Sequence, residues 1–250
     1  MNMPINKVAL ITGAGKRRVG NCIARRLAQR GYSVAVHYNC SEVDARETVK
    51  ELAALGTRAV AYQADLALEG QVQRLVDDVL GKFGRIDVLV TAAAVWERKR
   101  LEDVTADDVR RHFEINTLGT FLCCQKVGLA MVGQAEGGSI VTIGDWAVQR
   151  PYVDYAAYFP SKGAIPTMTR SLAVELARRN PNVRVNCILP GPVMLPADLP
   201  GAEGREAIAG TLVRRMGTPE HVAHAVEFLV ENDFVTGVCL PVDGGRTISS

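Results

Sequence analysis

Short apolar runs and amphipathic stretches alternate along the whole chain. Seven runs have the length of buried strands and end at turn-forming residues: 7–12, 33–38, 58–63, 86–90, 138–143, 183–189 and 234–242. The stretches between them, such as 21–30 and 219–231, repeat apolar residues at helical spacing. This alternation predicts an α/β fold with one doubly wound parallel sheet of about seven strands and helices on both faces. We expect residues 1–250 to form a single domain.

A glycine-rich turn, Gly-Ala-Gly-Lys-Arg-Arg-Val-Gly at 13–20, joins the first predicted strand to the first predicted helix. This arrangement places backbone N–H groups and a helix N terminus beneath a pyrophosphate. A tight turn without a ligand is the alternative. The predicted cofactor contacts here are Gly13, Lys16, Arg17, Arg18, Val19 and Gly20.

The end of the second strand, 37–41, carries no acidic residue. A site that prefers NAD usually has Asp or Glu there to bind the ribose 2′-OH. Arg17 and Arg18 from the adjacent turn can instead meet a 2′-phosphate, which the arginine fork suits. The pattern therefore favours NADP(H), unless both arginines are simply solvated. Ser41 and Asp44 predict a capping box for the next helix. Further cofactor contacts are expected from His37, Tyr38, Asn39 and Ser41.

The ends of the third and fourth strands add candidates. Asp65 can accept a hydrogen bond from an adenine amino group, or it can cap the following helix. Three alanines after the fourth strand let a planar group approach the backbone. Trp96 follows them at the edge where open α/β sheets bind ligands, and it can stack on a flat ring or fill the core. These segments predict cofactor contacts from Asp65, Leu66, Ala92, Ala93 and Ala94.

Tyr158 and Lys162 lie four residues apart, one turn of a helix. A cation beside a phenol favours phenolate, so we expect a lowered tyrosine pKa and proton exchange near neutral pH. Asp145 precedes them at the end of the fifth strand. Asn116 lies within the helical stretch 104–132 although it is a poor helix former. It marks either a local distortion that frees a carbonyl or a satisfied polar residue.

Composition excludes several classes of function. The formal net charge is +2, with no basic block, so nucleic acid is not an expected partner. No apolar run approaches the roughly 20 residues of a membrane span, and the first residues do not resemble a signal peptide. The six cysteines lack metal or disulfide spacing and mostly sit in apolar runs. His221 and His224 have no third ligand, so no metal is predicted. A cytoplasmic location is the expectation.

Taken together, the motifs resemble the short-chain dehydrogenase/reductase family over nearly the whole chain, and with it a Rossmann-type fold. The matching residues are Thr12-Gly13 with Gly20, Asp65, Asn116, Tyr158-x-x-x-Lys162, Pro190-Gly191 and Val242-Asp-Gly-Gly245. Within the family the chain is most similar to pteridine reductases. They carry an aspartate thirteen residues before the tyrosine, as Asp145 stands here, where the family usually has serine. The Lys16-Arg17 pair, His37-Tyr38, Trp96 and 190–196 are also similar.

The resemblance implies roles for these residues. Tyr158 is the expected proton donor, Lys162 the phenolate stabiliser and ribose ligand, and Asn116 the holder of a water that leads protons to the lysine. NADPH is the implied hydride donor, with its nicotinamide beside Pro190, Gly191 and Val193. A pterin or similar flat heterocycle is the implied substrate, under a lid at about 193–216, and a homotetramer is expected. The implied substrate contacts are Trp96, Asp145, Trp146, Tyr158, Met194 and Leu195.

Two other functions compete. An NADP-dependent carbonyl or 3-oxoacyl reductase would use Asp145 only to orient a carbonyl group. A cofactor-binding regulatory protein without chemistry is suggested by two departures from the family pattern. One is the glycine turn, which is a residue longer than usual, and the other is Thr91-Ala-Ala-Ala94. Intact Asn116, Tyr158 and Lys162 argue against that second alternative.

Overall fold

A computed structural model describes residues 7–195 and 201–249. In this part of the chain seven strands form one parallel sheet in the order β3-β2-β1-β4-β5-β6-β7. The strands are β1 Val8–Thr12, β2 Ser33–Tyr38, β3 Ala59–Gln63, β4 Val88–Thr91, β5 Gly138–Ile143, β6 Val183–Pro190 and β7 Cys239–Val242. The predicted fold class is confirmed.

Helices cover both faces of the sheet. They are α1 Val19–Gln29, α2 Glu42–Ala54, α3 Glu69–Phe83, α4 Ala106–His112, α5 Gly119–Val132, α6 Tyr158–Ala177, α7 Gly201–Ala209 and α8 Pro219–Glu231. One core packs α3, α5 and α6 against the sheet, and the other packs α1, α2 and α8. Successive side chains of a strand point to opposite faces, so Leu10 enters the first core and Ile11 the second. Both faces are apolar, which explains the uninterrupted apolar runs.

The strand order reverses direction between β1 and β4. The chain first adds β2 and β3 on one side of β1, then returns to add β4 on the other side. The crevice outside the carboxyl ends of the strands at such a reversal is where open α/β sheets bind ligands. The glycine turn follows β1 and the alanine segment follows β4, so both predicted cofactor segments lie at this crevice.

Three local predictions differ from the structure. The last strand begins at Cys239 instead of Phe234, because Phe234 is 97% exposed and Gly237 has a φ of +73°. The helix predicted over 104–132 is interrupted by the π-helical segment Phe113–Leu118. Ser41 precedes α2 but makes no side-chain cap, so the capping box is wrong. An added Cβ at Gly15 would lie 2.9 Å from Ser41 Oγ, so that hydroxyl packs against the glycine turn instead.

One helical stretch, Ala106–Val132, is long and apolar enough to cross a membrane by length and composition alone. Half of its most apolar window is buried inside the protein, as in a core helix of a folded domain. The six cysteines are all free, and three of them are buried as the apolar runs predicted, whereas Cys40 is exposed.

Candidate active site

Close backbone packing shapes the glycine turn. Gly13 has a φ of +65°, and an added Cβ would lie 2.8 Å from Ala93 Cα. At Gly20 an added Cβ would lie 2.7 Å from the Gly13 carbonyl oxygen. Any side chain at these positions would push the turn away from α1 or from the segment after β4. The turn therefore forms a shallow cradle at the crevice.

His37 supports this turn from below. Gly13 N donates to His37 Nδ1 over 3.1 Å, and Nε2 lies 3.0 Å from the Ala64 carbonyl oxygen. Both bonds form together when the ring is neutral and Nε2 carries the proton. Burial lowers the His37 pKa to about 4, which favours that neutral state. The sequence placed His37 among the cofactor contacts, but its ring is buried and acts on the turn.

The cations of the turn point outward. Lys16, Arg17 and Arg18 are all exposed. The Arg17 guanidinium forms an ion pair with Glu51 on α2. Arg18 stands at the N-cap of α1 and forms no ion pair within residues 7–195 and 201–249. Arg18 is therefore the arginine whose charge is not already matched by a carboxylate.

The residues around the crevice fit a dinucleotide. No side chain in the described part of the chain caps the N terminus of α1, so its first N–H groups are available to a pyrophosphate. Tyr38 and Asn39 lie beside the turn at the end of β2, half-buried and exposed respectively. Ala92 and Ala94 leave the end of β4 without bulky side chains.

Two segments close the ends of the crevice. Asp65 accepts a hydrogen bond from Ala67 N over 3.0 Å, and Leu66 is buried behind it. Asp65 does not cap α3, whose N-cap is Leu68. At the other end, Gly191 approaches Asp243 so closely that an added Cβ would lie 2.5 Å from its Cα. The turn of Pro190, Gly191 and Val193 is thereby held against the end of β7.

The candidate catalytic residues meet at the end of β5. Tyr158 Oη donates to Asp145 Oδ2 over 2.8 Å, and Asp145 Oδ1 accepts from Ala147 N over 2.8 Å. Tyr158 begins α6, so Pro160 falls in the first turn, where proline is tolerated. Lys162 Nζ donates to the Ile143 carbonyl oxygen over 2.7 Å. The side chain of Asp145 is thus bound to the tyrosine and to backbone, not to a structural cation.

The predicted lowering of the Tyr158 pKa is wrong. Burial and the adjacent Asp145 carboxylate raise the Tyr158 pKa well above its ordinary value. The Lys162 ammonium donates its hydrogen bond to the Ile143 carbonyl oxygen instead of the phenol. Burial lowers the pKa of Lys162 and raises that of Asp145, although the two charges partly offset both effects. The phenol is therefore held protonated.

Asn116 agrees with both interpretations of the sequence, a local helix distortion and a polar residue with satisfied hydrogen bonds. It lies in the π-helical segment, which is a local distortion, and its side chain is fully engaged. Its Oδ1 accepts from Val95 N over 2.8 Å, while Nδ2 donates to the Val95 carbonyl and to Ser161 Oγ. These bonds tie the segment after β4 to α6. The side-chain amide is therefore engaged within the protein, and the water expected at Asn116 stays a prediction.

A cavity of about 480 Å³ opens above Asp145 and Tyr158. Aromatic rings form much of its wall, and Trp96 stacks on Tyr155 with centroids 4.9 Å apart and planes 7° apart. Trp96 thus has an aromatic partner within the protein on one face. The structure brings all the predicted substrate residues to this cavity: Trp96, Asp145, Trp146, Tyr158, Met194 and Leu195.

Sequence reasoning missed other residues of the same wall. Tyr152 and Tyr155 come from the loop before α6, and the close spacing of tyrosines at 152, 155 and 158 was the available signal. Arg98, Glu206 and Arg246 also line the cavity, and nothing in their sequence context indicated this. No group of three or more metal-ligating side chains exists in residues 7–195 and 201–249. His221 serves instead in a capping box with Thr218 at the start of α8.

A family model described as enoyl-(acyl carrier protein) reductase matches residues 13–247. A hydroxynaphthalene reductase-like protein of Metarhizium majus is 35% identical over 257 residues, covering 96% of this chain and 94% of that protein. An acetoin dehydrogenase structure from Enterobacter cloacae has a TM-score of 0.88 and 31% identity, covering 99% of this chain and 98% of that one. The structure of a blue fluorescent protein from a metagenomic library in complex with NADPH has a TM-score of 0.87 and 36% identity, covering 96% and 97%.

The low pKa of His37 makes stability depend on pH. Its pKa falls from 6.5 to about 4 on folding, so the unfolded chain binds the proton more readily. The stabilisation is complete above about pH 6.5 and is lost as the pH falls toward 4. We expect the free energy of unfolding to drop by about 2 kcal/mol from this residue between pH 7 and pH 5, by linkage. Urea unfolding at both pH values measures it.

His37→Gln is the matched variant for that measurement. It removes the titrating ring while the other three histidines stay. The drop between the two pH values should shrink by about the amount assigned to His37. An equal pH dependence in both proteins would show that His37 is not responsible.

Proposed function

The chain belongs to the short-chain dehydrogenase/reductase family, and we propose that it is an NADPH-dependent reductase of a planar ring substrate, with Tyr158 as proton donor. One observation carries the proposal. The Tyr158 hydroxyl and the Asp145 carboxyl form the floor of a cavity with aromatic walls, next to the crevice that fits a dinucleotide. Aromatic walls favour flat substrates through stacking.

The raised pKa of Tyr158 supports its role as donor, because a general acid must carry its proton before the reaction. Asp145 accepts the hydroxyl hydrogen bond and orients the phenol toward the cavity. Lys162 lies one turn further along α6, where it would bind the ribose of the cofactor and stabilise the phenolate left after proton transfer. Asn116 keeps the segment after β4 in register with α6.

NADPH supplies the hydride when bound. Its preference over NADH is supported by the absence of an acidic side chain at 37–41 and by the unpaired cation of Arg18. The NADPH complex of the blue fluorescent protein relative agrees with this preference. Gly13 to Gly20 would hold the pyrophosphate, and the turn from Pro190 to Val193 would face the nicotinamide.

A pterin or similar nitrogen heterocycle is the first substrate class. Asp145 differs from a serine in that its carboxylate accepts hydrogen bonds from N–H groups, and its protonated form donates to a ring nitrogen. Its raised pKa brings the protonated form closer to working pH. With this substrate we also propose that the chain is similar to pteridine reductases, that it forms a homotetramer and that it is located in the cytoplasm.

A ketone on a flat or small carbon skeleton is the second substrate class. The relatives named hydroxynaphthalene reductase-like protein and acetoin dehydrogenase favour it. For such a substrate Asp145 would orient the carbonyl through Tyr158 instead of bonding ring nitrogens. Both classes share the same proton donor and the same cofactor.

Tyr158→Phe tests the proton donor. It should lower kcat by roughly 10²–10⁴-fold with any accepted substrate, because the acid is removed while the ring remains. Steady-state NADPH oxidation measures the change. Tyr152→Phe is the control, since it removes a hydroxyl from the same cavity and should leave kcat within about threefold if Tyr158 alone is the acid. Near-normal turnover by Tyr158→Phe would end the mechanism.

Asp145→Ser separates the two substrate classes. We expect turnover of dihydrobiopterin to fall roughly tenfold or more, since the carboxyl group that bonds ring nitrogens is lost. Turnover of a ring ketone such as phenanthrenequinone should hold or rise. The ratio of kcat/KM for the two substrates is the measurement. Parallel losses on both would show that Asp145 serves neither substrate specifically, and wild-type turnover of ketones alone would count against the pterin.

Arg18→Ala tests the cofactor preference. The KM for NADPH should rise about tenfold, because one charged hydrogen bond to the 2′-phosphate is lost, while the KM for NADH stays unchanged. Arg25→Ala is the matched control, since Arg25 is exposed on the same helix but further from the turn. An equal rise for both cofactors would mean that Arg18 does not contact the 2′-phosphate.

A further inference from the structure

Arg246 is a positively charged residue of the substrate cavity. It lies in the turn after β7 and lines the same cavity as Asp145 and Tyr158. Its guanidinium carbon is 5.3 Å from the centroid of the Trp146 ring, which also lines the cavity. Among the side chains that the structure describes, it has no ion pair, although Glu206 lines the same cavity.

The protein holds this arginine in place from several sides. Asp243 accepts from Gly245 N over 2.9 Å and from Thr247 N over 2.7 Å, so the carboxylate fixes the turn on both sides of Arg246. Arg150 donates to the Arg246 carbonyl over 3.1 Å. The turn is thus closed by its own aspartate and by one neighbouring arginine. The Trp146 ring then supports the guanidinium through a cation–π contact.

The other charged residues of the cavity are Arg98, Asp145 and Glu206, and their surroundings differ from those of Arg246. Arg98 is already paired with Asp154 at 3.0 Å. Asp145 is bonded to Tyr158 and to Ala147 N. Glu206 is exposed and makes no ion pair in the described part of the chain. Among these groups, Arg246 alone offers guanidinium donors without a charged acceptor, and a fork of donors suits carboxylate.

We propose that Arg246 binds a carboxylate on the substrate, so that the enzyme acts on a planar ring compound carrying an acidic group. This inference rests on the proposed function, because it adds an acidic group to the substrate that is proposed for the same cavity. The aromatic walls hold the ring, Tyr158 and Asp145 face the reacting atom, and Arg246 fixes the far end of the molecule. Arg246 is thereby a specificity-determining residue and takes no part in proton transfer.

Binding of matched ring ligands tests the inference without turnover. The ligands are 2-naphthoate and 2-naphthamide, which share a flat ring and differ in charge, titrated calorimetrically into protein saturated with NADP⁺. Wild type should bind naphthoate at least about tenfold more tightly, the effect of one charged hydrogen bond. Arg246→Met should abolish the difference while affinity for the amide stays within about twofold.

Arg74→Met is the control for net charge, because Arg74 is exposed on α3 and distant from the cavity. It should keep the preference for naphthoate. Equal affinity of wild type for the two ligands, no binding of naphthoate at millimolar concentration, or a preference that persists in Arg246→Met would each overturn the inference. Because no reaction is needed, these results stand apart from the kinetics of Tyr158→Phe, which test the proposed function alone.

Discussion

The hydrogen bond between the Tyr158 hydroxyl and the Asp145 carboxylate determines the chemistry available at this site. A phenol in a buried place next to a negative charge keeps its proton. The same bond removes Asp145 from any structural ion pair and leaves it facing the cavity. In the more common arrangement of this family a serine stands at that place, and a neutral hydroxyl does not raise the pKa of the tyrosine through charge. The carboxylate therefore raises the pKa of the tyrosine, and it also places a charged group at position 145 facing the cavity.

The bond forms because the end of β5 and the start of α6 lie at the same place. Asp145 follows β5, and Tyr158 begins α6, which packs on β6. Lys162 Nζ reaches the Ile143 carbonyl from the next turn of α6 and so joins the helix to the end of β5. Asn116 adds a third connection, from the segment after β4 through Val95 to Ser161. Buried polar groups that satisfy one another in this way hold a site more rigidly than apolar contacts do.

The two ligand regions differ in how they are held. The cofactor crevice depends on absent side chains, since Gly13, Gly20 and Gly191 approach other backbone too closely for a Cβ. The substrate cavity depends on large side chains, with Trp96 stacked on Tyr155 and Arg246 lying over Trp146. A nucleotide would be bound mainly through backbone groups, whereas the substrate would be selected by rings and charges. This division matches a fold in which the cofactor is shared and the substrate varies.

The sequence by itself determined the strand and helix alternation, the glycine turn and the residues that face the crevice, because each depends on local spacing. It also indicated six residues that line the cavity above Asp145 and Tyr158. It did not determine what each side chain touches. His37 turned out to support the glycine turn, Lys162 to bond a carbonyl, and Tyr158 to have a raised pKa, since burial and neighbouring charges exist only after folding. Arg246 reaches the cavity from a turn about 100 residues beyond Asp145 in the sequence, a contact that only the tertiary structure creates.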